Sequence, residues 1–497
     1  MSTGRFRRIG GGAADPDVGT ASGASWSLVP VAAATALAAL LRFSTLGEQS
    51  FWLDEAVTVD LLRNDLVGML RAIPDSESTP PLYYLLAWPW AKAFGTGEIG
   101  LRSFSALCGT ATVPVAYAAG AGLASRRAGA IAALLVATSP LLVWYSQEAR
   151  AYALFVLCGA LSLWLFARAL ERPSRDVLVG WVAASALALA THYFAVFLVA
   201  AEAAFLLALV RPRRAVAAAS AAVGAVGLAL LPLALHQERG GRTSWIADTP
   251  LAERAEDVVR EFVAGMYPLP HAAKLGLIVL AAATAFVALR ARPKERSRAF
   301  LALGVGVLAV AFPVALALGG FDYFLARNLI VAWLPIAVFL AIALAGDRAR
   351  WVGPAVAVVL GAMSTAVVAA TASRSDLARD DWRSVANTLA TPRPKLVVVA
   401  PAYERAPLEY YRPEARPLGD GLVAVGEIVL LGYPVSGDAF PPRWFRVPPT
   451  FRRVEFRFFD RIRLVRFRAA GALRLGADDV RRRRAASVIV LVDRGGP

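Results

Sequence analysis

Residues 290–318, RARPKERSRAFLALGVGVLAVAFPVALAL, place Arg290, Arg292, Lys294, Arg296 and Arg298 directly before an uncharged apolar run, 299–318. About twenty apolar residues in a helix rise about 30 Å, the thickness of a bilayer's hydrocarbon core. The stretch therefore reads as a membrane span with cations at its entrance. Working outward, similar runs predict spans near 27–44, 101–123, 128–145, 151–169, 177–192, 194–210, 215–235, 273–289, 329–345 and 351–371. With 299–318 the expectation is about eleven spans.

Alternate connections carry the bases. They hold Arg5, Arg7 and Arg8; Arg126 and Arg127; Arg168, Arg172 and Arg175; Arg211, Arg213 and Arg214; the 290–298 cluster; and Arg348 and Arg350. The intervening turns 146–150, 191–193 and 319–328 hold only Arg150 and Arg327. Because basic loops stay on the cytoplasmic side, the pattern predicts a multi-pass plasma-membrane protein with a cytoplasmic N-terminal tail, 1–26, and an outer C-terminus. The first span reads as retained, since no small-residue cleavage site follows it.

Composition agrees: 57% of the 497 residues are hydrophobic and 18% charged, against about 25% charged in soluble domains. A water-soluble globule is excluded. The net charge of +16 comes almost wholly from Arg, only four bases being Lys, and by itself implies no nucleic-acid partner. Cys108 and Cys158 both lie in apolar runs, so no disulfide framework or zinc site is expected.

Two outer loops interrupt the transmembrane domain, 27–371. The first, 45–100, is too long for a plain connector. It should contain an amphipathic helix over 56–73 and an apolar helix from Pro81 to Phe94 lying along the interface. The second, 236–272, contains Trp245 and a helical run over 251–262. Beyond 371 the long apolar runs stop, which marks a soluble outer domain, 372–497. Its expected elements are a helix over 380–389 and strands over 395–400, 427–431, 454–459, 462–467 and 487–492. Arg481 to Arg484 reads as a solvated charge run. The fold class is thus mainly α, a polytopic membrane helix bundle with a C-terminal extracytoplasmic α/β domain.

This topology gathers ionisable groups at the outer helix ends, where their cost argues for function. They are Asp54 and Glu55, Asp75 and Glu77, Gln147-Glu148 with Arg150 and Tyr152, His192-Tyr193, and Arg327. A carboxylate can take the proton of an attacking hydroxyl, and fixed Arg charge can hold a departing phosphate. Such a set suits sugar transfer from a lipid phosphate. Structural readings stand beside it. Asp54 would serve equally as a helix N-cap, Glu148 and Arg150 as an ion pair, His192 as a satisfied interface residue, and Trp52, Trp144 and Trp245 as an aromatic belt. Asp75 and Glu77 would serve as solvated charges.

The motifs Phe51-Trp52-Leu53-Asp54-Glu55-Ala56, Pro80-Pro81-Leu82-Tyr83-Tyr84 and Tyr145-Ser146-Gln147-Glu148-Ala149-Arg150-Ala151-Tyr152 stand in that order. They are followed by Thr191-His192-Tyr193-Phe194, Ser244-Trp245-Ile246, Arg327 and Asp381-Trp382-Arg383. The chain thereby resembles the bacterial mannosyltransferase-like branch of the GT-C glycosyltransferases, the group of dolichyl-phosphate-mannose protein mannosyltransferases and lipid A aminoarabinose transferases. The resemblance implies a polyprenyl-phosphate sugar donor, inverting transfer on the outer face and a catalytic carboxylate, Asp54, with Glu55 beside it. Donor and phosphate contacts are assigned to Arg150, Arg327, Gln147, Glu148, Tyr152, His192 and Tyr193. Acceptor or sugar contacts are assigned to Asp75, Glu77, Tyr83, Tyr84 and Trp245. Relatives often have His before the Pro-Pro pair, where this chain has Thr79. A divalent cation at Glu148 is the one candidate cofactor. The expected partners are the lipid-linked sugar, a glycan, lipid or protein acceptor, and membrane lipid, without nucleic acid. A transporter or flippase of lipid-linked saccharides is the alternative, although transporters tend to bind near mid-membrane. A catalytically dead scaffold is a third.

Overall fold

The structure, a computed structural model, describes residues 28–241, 243–433, 440–442, 444–481 and 488–495. Arg5, Arg7, Arg8 and Arg482 to Arg484 lie outside the described residues.

Helix α1 is Val29–Phe43. The first outer loop then folds into α2 (Leu53–Arg63), α3 (Leu66–Ser76) and α4 (Leu82–Phe94). The single helix expected over 56–73 is broken because Asp65 caps a new one, its carboxylate accepting from the Gly68 backbone at 2.6 Å. Next come α5 (Glu98–Leu123), α6 (Arg126–Thr138), α7 (Pro140–Ser146), α8 (Tyr152–Glu171), α9 (Arg175–Thr191), α10 (Ala195–Leu209) and α11 (Arg213–Glu238). The bundle ends with α12 (Leu251–Ala264), α13 (Ala272–Arg290), α14 (Pro293–Leu318), α15 (Trp333–Ala345) and α16 (Val352–Ala372).

Helices thus fill all eleven stretches read as spans. Six of them, α5, α8, α11, α13, α14 and α16, are each long and apolar enough to cross a membrane, and the bent pair α6–α7 makes a seventh. The α6–α7 bend is 57°, because Pro140 lacks the N–H that would continue the helix. A break inside apolar surroundings frees carbonyls that need donors. Arg42, fully buried, supplies them, donating to the backbone oxygens of Val136 at 3.2 Å and Ala137 at 2.9 Å. Where α5 meets α6, a Cβ on Gly129 would stand 2.6 Å from the Tyr117 carbonyl oxygen, so only glycine permits this approach.

The outer domain begins with α17 (Trp382–Leu389), capped by Asp381, which accepts from the Ser384 backbone at 3.0 Å. Then follow β1 (Lys395–Ala400), α18 (Arg405–Tyr411), β2 (Arg416–Pro417), β3 (Val423–Gly432), β4 (Arg452–Phe459), β5 (Ile462–Leu475), α19 (Ala477–Val480) and β6 (Ile489–Asp493). The sheet order is β2-β6-β1-β3-β5-β4. Among the described strands only β1 and β3 pair in parallel. Alternation along the pleat divides the buried residues between two faces. Leu396, Val398 and Leu430 belong to one core; Val397, Val399 and Leu431 pack with Trp382 and Leu408 in the other. All five expected strands are present, β3 and β5 being longer than expected. Short β2, α18 and α19 carry no period long enough to read.

Candidate active site

Asp54 and Glu55 occupy the first turn of α2, whose N-cap is Trp52. Asp54 therefore does not cap the helix. Adjacent residues on a helix point about 100° apart, and the two carboxylates meet different fates. Glu55 is fully buried and bound by Arg102 through two hydrogen bonds, Nε to Oε1 at 2.8 Å and Nη2 to Oε2 at 2.6 Å. It also accepts from the Ala149 backbone at 2.9 Å. That contact joins the first outer loop to the 147–151 turn. Asp54 is half-buried, and its carboxylate has no hydrogen bond or ion pair among the described residues.

The turn after α7 is paired differently from expectation. Glu148 does not pair with Arg150. Instead Glu148 Oε1 accepts from Arg379 at 3.2 Å, while Arg150 forms a two-bond pair with Glu77 at 2.8 and 3.0 Å. Residues two apart project to opposite sides of an irregular turn, so each finds a partner elsewhere. Glu77 is therefore not a solvated loop charge. Arg379 stacks 4.3 Å from the centre of the Trp144 ring and also donates to the Gln49 side-chain oxygen at 3.1 Å. Gln147 donates to the Leu41 and Arg42 carbonyls at 3.1 and 3.3 Å and to the Thr45 hydroxyl at 2.7 Å. Its amide nitrogen thereby satisfies the open end of α1.

Arg327 lies on the opposite wall. Its loop is fixed where Arg254 donates to Asp322 at 2.7 Å and to the Phe324 carbonyl at 2.9 Å. The guanidinium itself sits 5.4 Å from the Trp245 ring centre and has no hydrogen bond or ion pair among the described residues. Burial works to lower its affinity for the proton, but the fields of Tyr152, Asp54, Tyr145 and Glu148 outweigh it, so the cation is firmly held. Asp54 and Glu148 are thus the carboxylates whose charge Arg327 feels most strongly. Trp245 is 49% exposed beside it, able to meet a ligand face-on.

Tyr145 and Tyr152 meet edge to face at 4.9 Å. His192 stacks on Phe155 at 4.8 Å, and its Nδ1 accepts from the Phe194 backbone at 3.4 Å. Tyr193 faces away, donating to Gln237 at 2.9 Å. Asp75 is a surface residue paired with His236 at 2.8 Å. Tyr83 and Tyr84 are buried to 1% and 0%. The Tyr84 hydroxyl accepts from Arg150 at 3.1 Å. Among the described residues no three His, Cys, Asp or Glu side chains converge as a metal-binding set. The Thr79 hydroxyl is buried without a partner.

Sequence reasoning missed Arg42, Arg102 and Arg379. Apart from the Arg42 bond to Ala38, one turn back, their partners lie between 47 and 330 positions away, and nothing local marks them except the cost of an Arg beside apolar residues.

Burial pushes Glu148 up to about 7; Arg379 opposes the shift and Glu55 and Asp54 add to it. The folded protein thus holds this proton more tightly than the unfolded chain, where the carboxyl titrates near 4.5. Its stabilising contribution is complete below about pH 4.5 and is lost as pH rises through about 7. The thermal midpoint should fall from pH 5 to pH 8, with a smaller slope in Glu148→Gln. Glu261 and Glu404, also lifted by burial, to about 7 and about 8, contribute to the slope that remains. Identical slopes in the two proteins would contradict the assignment.

Residues 78–236 match a family model described as dolichyl-phosphate-mannose-protein mannosyltransferase. The resemblance to that mannosyltransferase-like group is shown over this stretch, which holds Glu148, Arg150 and His192 but neither Asp54 nor Arg327. No curated protein matches the chain. Among solved structures, the oligosaccharyltransferase AglB from Archaeoglobus fulgidus, in complex with an inhibitory peptide and a dolichol-phosphate, is 15% identical with a TM-score of 0.48. The alignment covers 75% of this chain and 58% of that one, so this chain matches under two thirds of the relative's length. ArnT from Cupriavidus metallidurans in the apo state is 13% identical with a TM-score of 0.43, covering 90% of this chain and 98% of that one. The arabinofuranosyltransferase AftD from Mycobacteria is 17% identical with a TM-score of 0.45, covering 95% and 40%.

Proposed function

We propose that this protein is an inverting glycosyltransferase of the GT-C type, which moves a sugar from a polyprenyl-phosphate donor to an acceptor hydroxyl on the outer face of the membrane. The sugar is mannose or a related hexose or pentose. One observation carries the reading. At the junction of the first outer loop, the 147–151 turn and the 319–328 loop, the surrounding charges Glu55, Glu77, Arg102, Arg150 and Arg379 are engaged in ion pairs. Asp54 and Arg327 remain as an open carboxylate and an open guanidinium.

In this reading the acceptor oxygen attacks the anomeric carbon from the face opposite the phosphate, and its proton passes to Asp54. The bond between the anomeric carbon and the phosphate oxygen breaks. The polyprenyl phosphate leaves as an anion held by Arg327, while its tail stays in lipid between helices. A phosphate is already ionised, so fixed cationic charge serves its departure better than a proton donor. Glu55 positions Asp54 by pinning α2, and Arg150 steadies the loop through Glu77. Trp245 supplies a face for the sugar. Eleven crossings with the N-terminus inside place residues 372–497 outside and α4 along the interface.

The test is to offer purified protein a panel of polyprenyl-phosphate sugars and follow release of free polyprenyl phosphate. One donor class should be consumed. In Arg327→Gln its KM should rise about 10- to 100-fold, since hydrogen bonds to charged groups contribute about 1.5–3 kcal/mol. Intact donor carried across a vesicle membrane without release of phosphate would instead support a transporter.

A further inference from the structure

The hairpin of β4 and β5 closes on a two-residue turn, Asp460–Arg461. Asp460 there adopts φ 51°, a left-handed conformation that Asp tolerates. The turn's height above the bundle is fixed. Arg461 donates to both oxygens of Asp380 at 3.0 and 3.2 Å. The Asp380 carbonyl accepts from Ser50, just beyond α1, at 2.7 Å. The neighbouring Arg379 donates to the Trp144 carbonyl, in the last turn of α7, at 3.2 Å. The hairpin tip therefore lies at the level where α1 and α7 end.

β4 is an edge strand. Val454, Phe456 and Phe458, alternating along one face, are 51%, 44% and 62% exposed. A long apolar edge left to water is an aggregation hazard that proteins normally cover. Arg463, opposite Phe458 in the ladder, lies 5.8 Å from the Phe440 ring centre and 5.7 Å from that of Phe458. Its guanidinium has no ion pair or hydrogen bond among the described residues, and its Nε is buried without a partner. Arg452, Arg453 and Arg457 line the same strand, all exposed.

We propose that this hairpin docks on the headgroups of the outer leaflet, with Phe456 and Phe458 in the interfacial layer and Arg463 on a phospholipid phosphate. Three features favour lipid as the occupant. The depth of the tip matches the outer helix ends, aromatic side chains favour the headgroup zone, and an Arg without a counter-ion grips phosphate through two hydrogen bonds. The contact would hold the outer domain, and with it the Arg379–Asp380 strap, at a fixed height over Asp54.

Spin labelling of the full chain in nanodiscs tests this. Cys108 and Cys158 are buried, so a nitroxide reagent goes to the introduced thiol of Phe458→Cys or of the control Asp420→Cys. The label at 458 should be severalfold more accessible to oxygen than to a water-soluble nickel chelate, and the label at 420 the reverse. Adding phosphatidylglycerol to phosphatidylcholine should deepen the label at 458, and Arg463→Gln should abolish that gain. A label at 458 that behaves like the one at 420 in every bilayer would overturn the proposal. So would protection appearing only when a soluble glycan polymer is added, which would assign the patch to saccharide.

Discussion

Asp54→Asn is expected to slow sugar transfer by about 10²- to 10⁴-fold, the usual contribution of a positioned general base, while the protein still folds. Asparagine keeps the shape of the side chain and removes its ability to accept the hydroxyl proton. The wild-type carboxylate makes no hydrogen bond or ion pair among the described residues, so no partner is orphaned. The loss in stability comes from its favourable placement in the first turn of α2, about 0.3–1 kcal/mol, and from its field on the Arg327 and Arg150 cations. Transfer measured with radiolabelled lipid-linked sugar, beside a thermal melt, separates the two effects. Near-normal turnover in this variant would remove Asp54 as the base.

Its neighbour should behave in the opposite way. Glu55→Gln leaves the Arg102 cation in a site where both side chains are at most 1% exposed. Breaking a buried pair by removing one partner costs about 3–5 kcal/mol, a large share of the stability of any domain. The variant should melt far below wild type or fail to yield folded protein. The double variant Glu55→Gln/Arg102→Met should recover part of this loss, because no unpaired charge remains. Recovery stays partial, since Arg102 also donates to the carbonyls of Leu46, Gln49 and Ser50 at 2.8, 2.7 and 3.0 Å. A Glu55→Gln protein as stable as wild type would show that the pair does not hold α2 in place.

This contrast marks where the sequence ceases to be readable. The apolar runs between charges could be read directly, because a bilayer imposes length and composition on each helix; a helix fills every stretch expected to span. The Ser139-Pro140 break also has a local cause, but the Arg42 side chain that satisfies it comes from a helix some 95 positions earlier. Asp54 and Glu55 have the same chemistry in a string of letters. Only the helical phase of α2 and the approach of Arg102 make one open and the other closed. The structural alternative of a Glu148–Arg150 pair is excluded for a related reason: closeness in sequence says little in a turn, and Arg379, which takes Glu148, follows the last membrane helix. Tyr83 and Tyr84 carried a motif, and their burial against Arg150 and Phe104 could not be read from it.

The central claim is that Asp54 and Arg327 face one another across the reacting sugar at the outer surface. A cryo-electron microscopy structure of the protein with a non-transferable polyprenyl-phosphate sugar analogue tests it most directly. The phosphate should lie within hydrogen-bond reach of the Arg327 guanidinium, with the anomeric carbon turned toward Asp54. A phosphate seated at the cytoplasmic helix ends, or a sugar that leaves Asp54 out of reach of any attacking hydroxyl, would contradict the account.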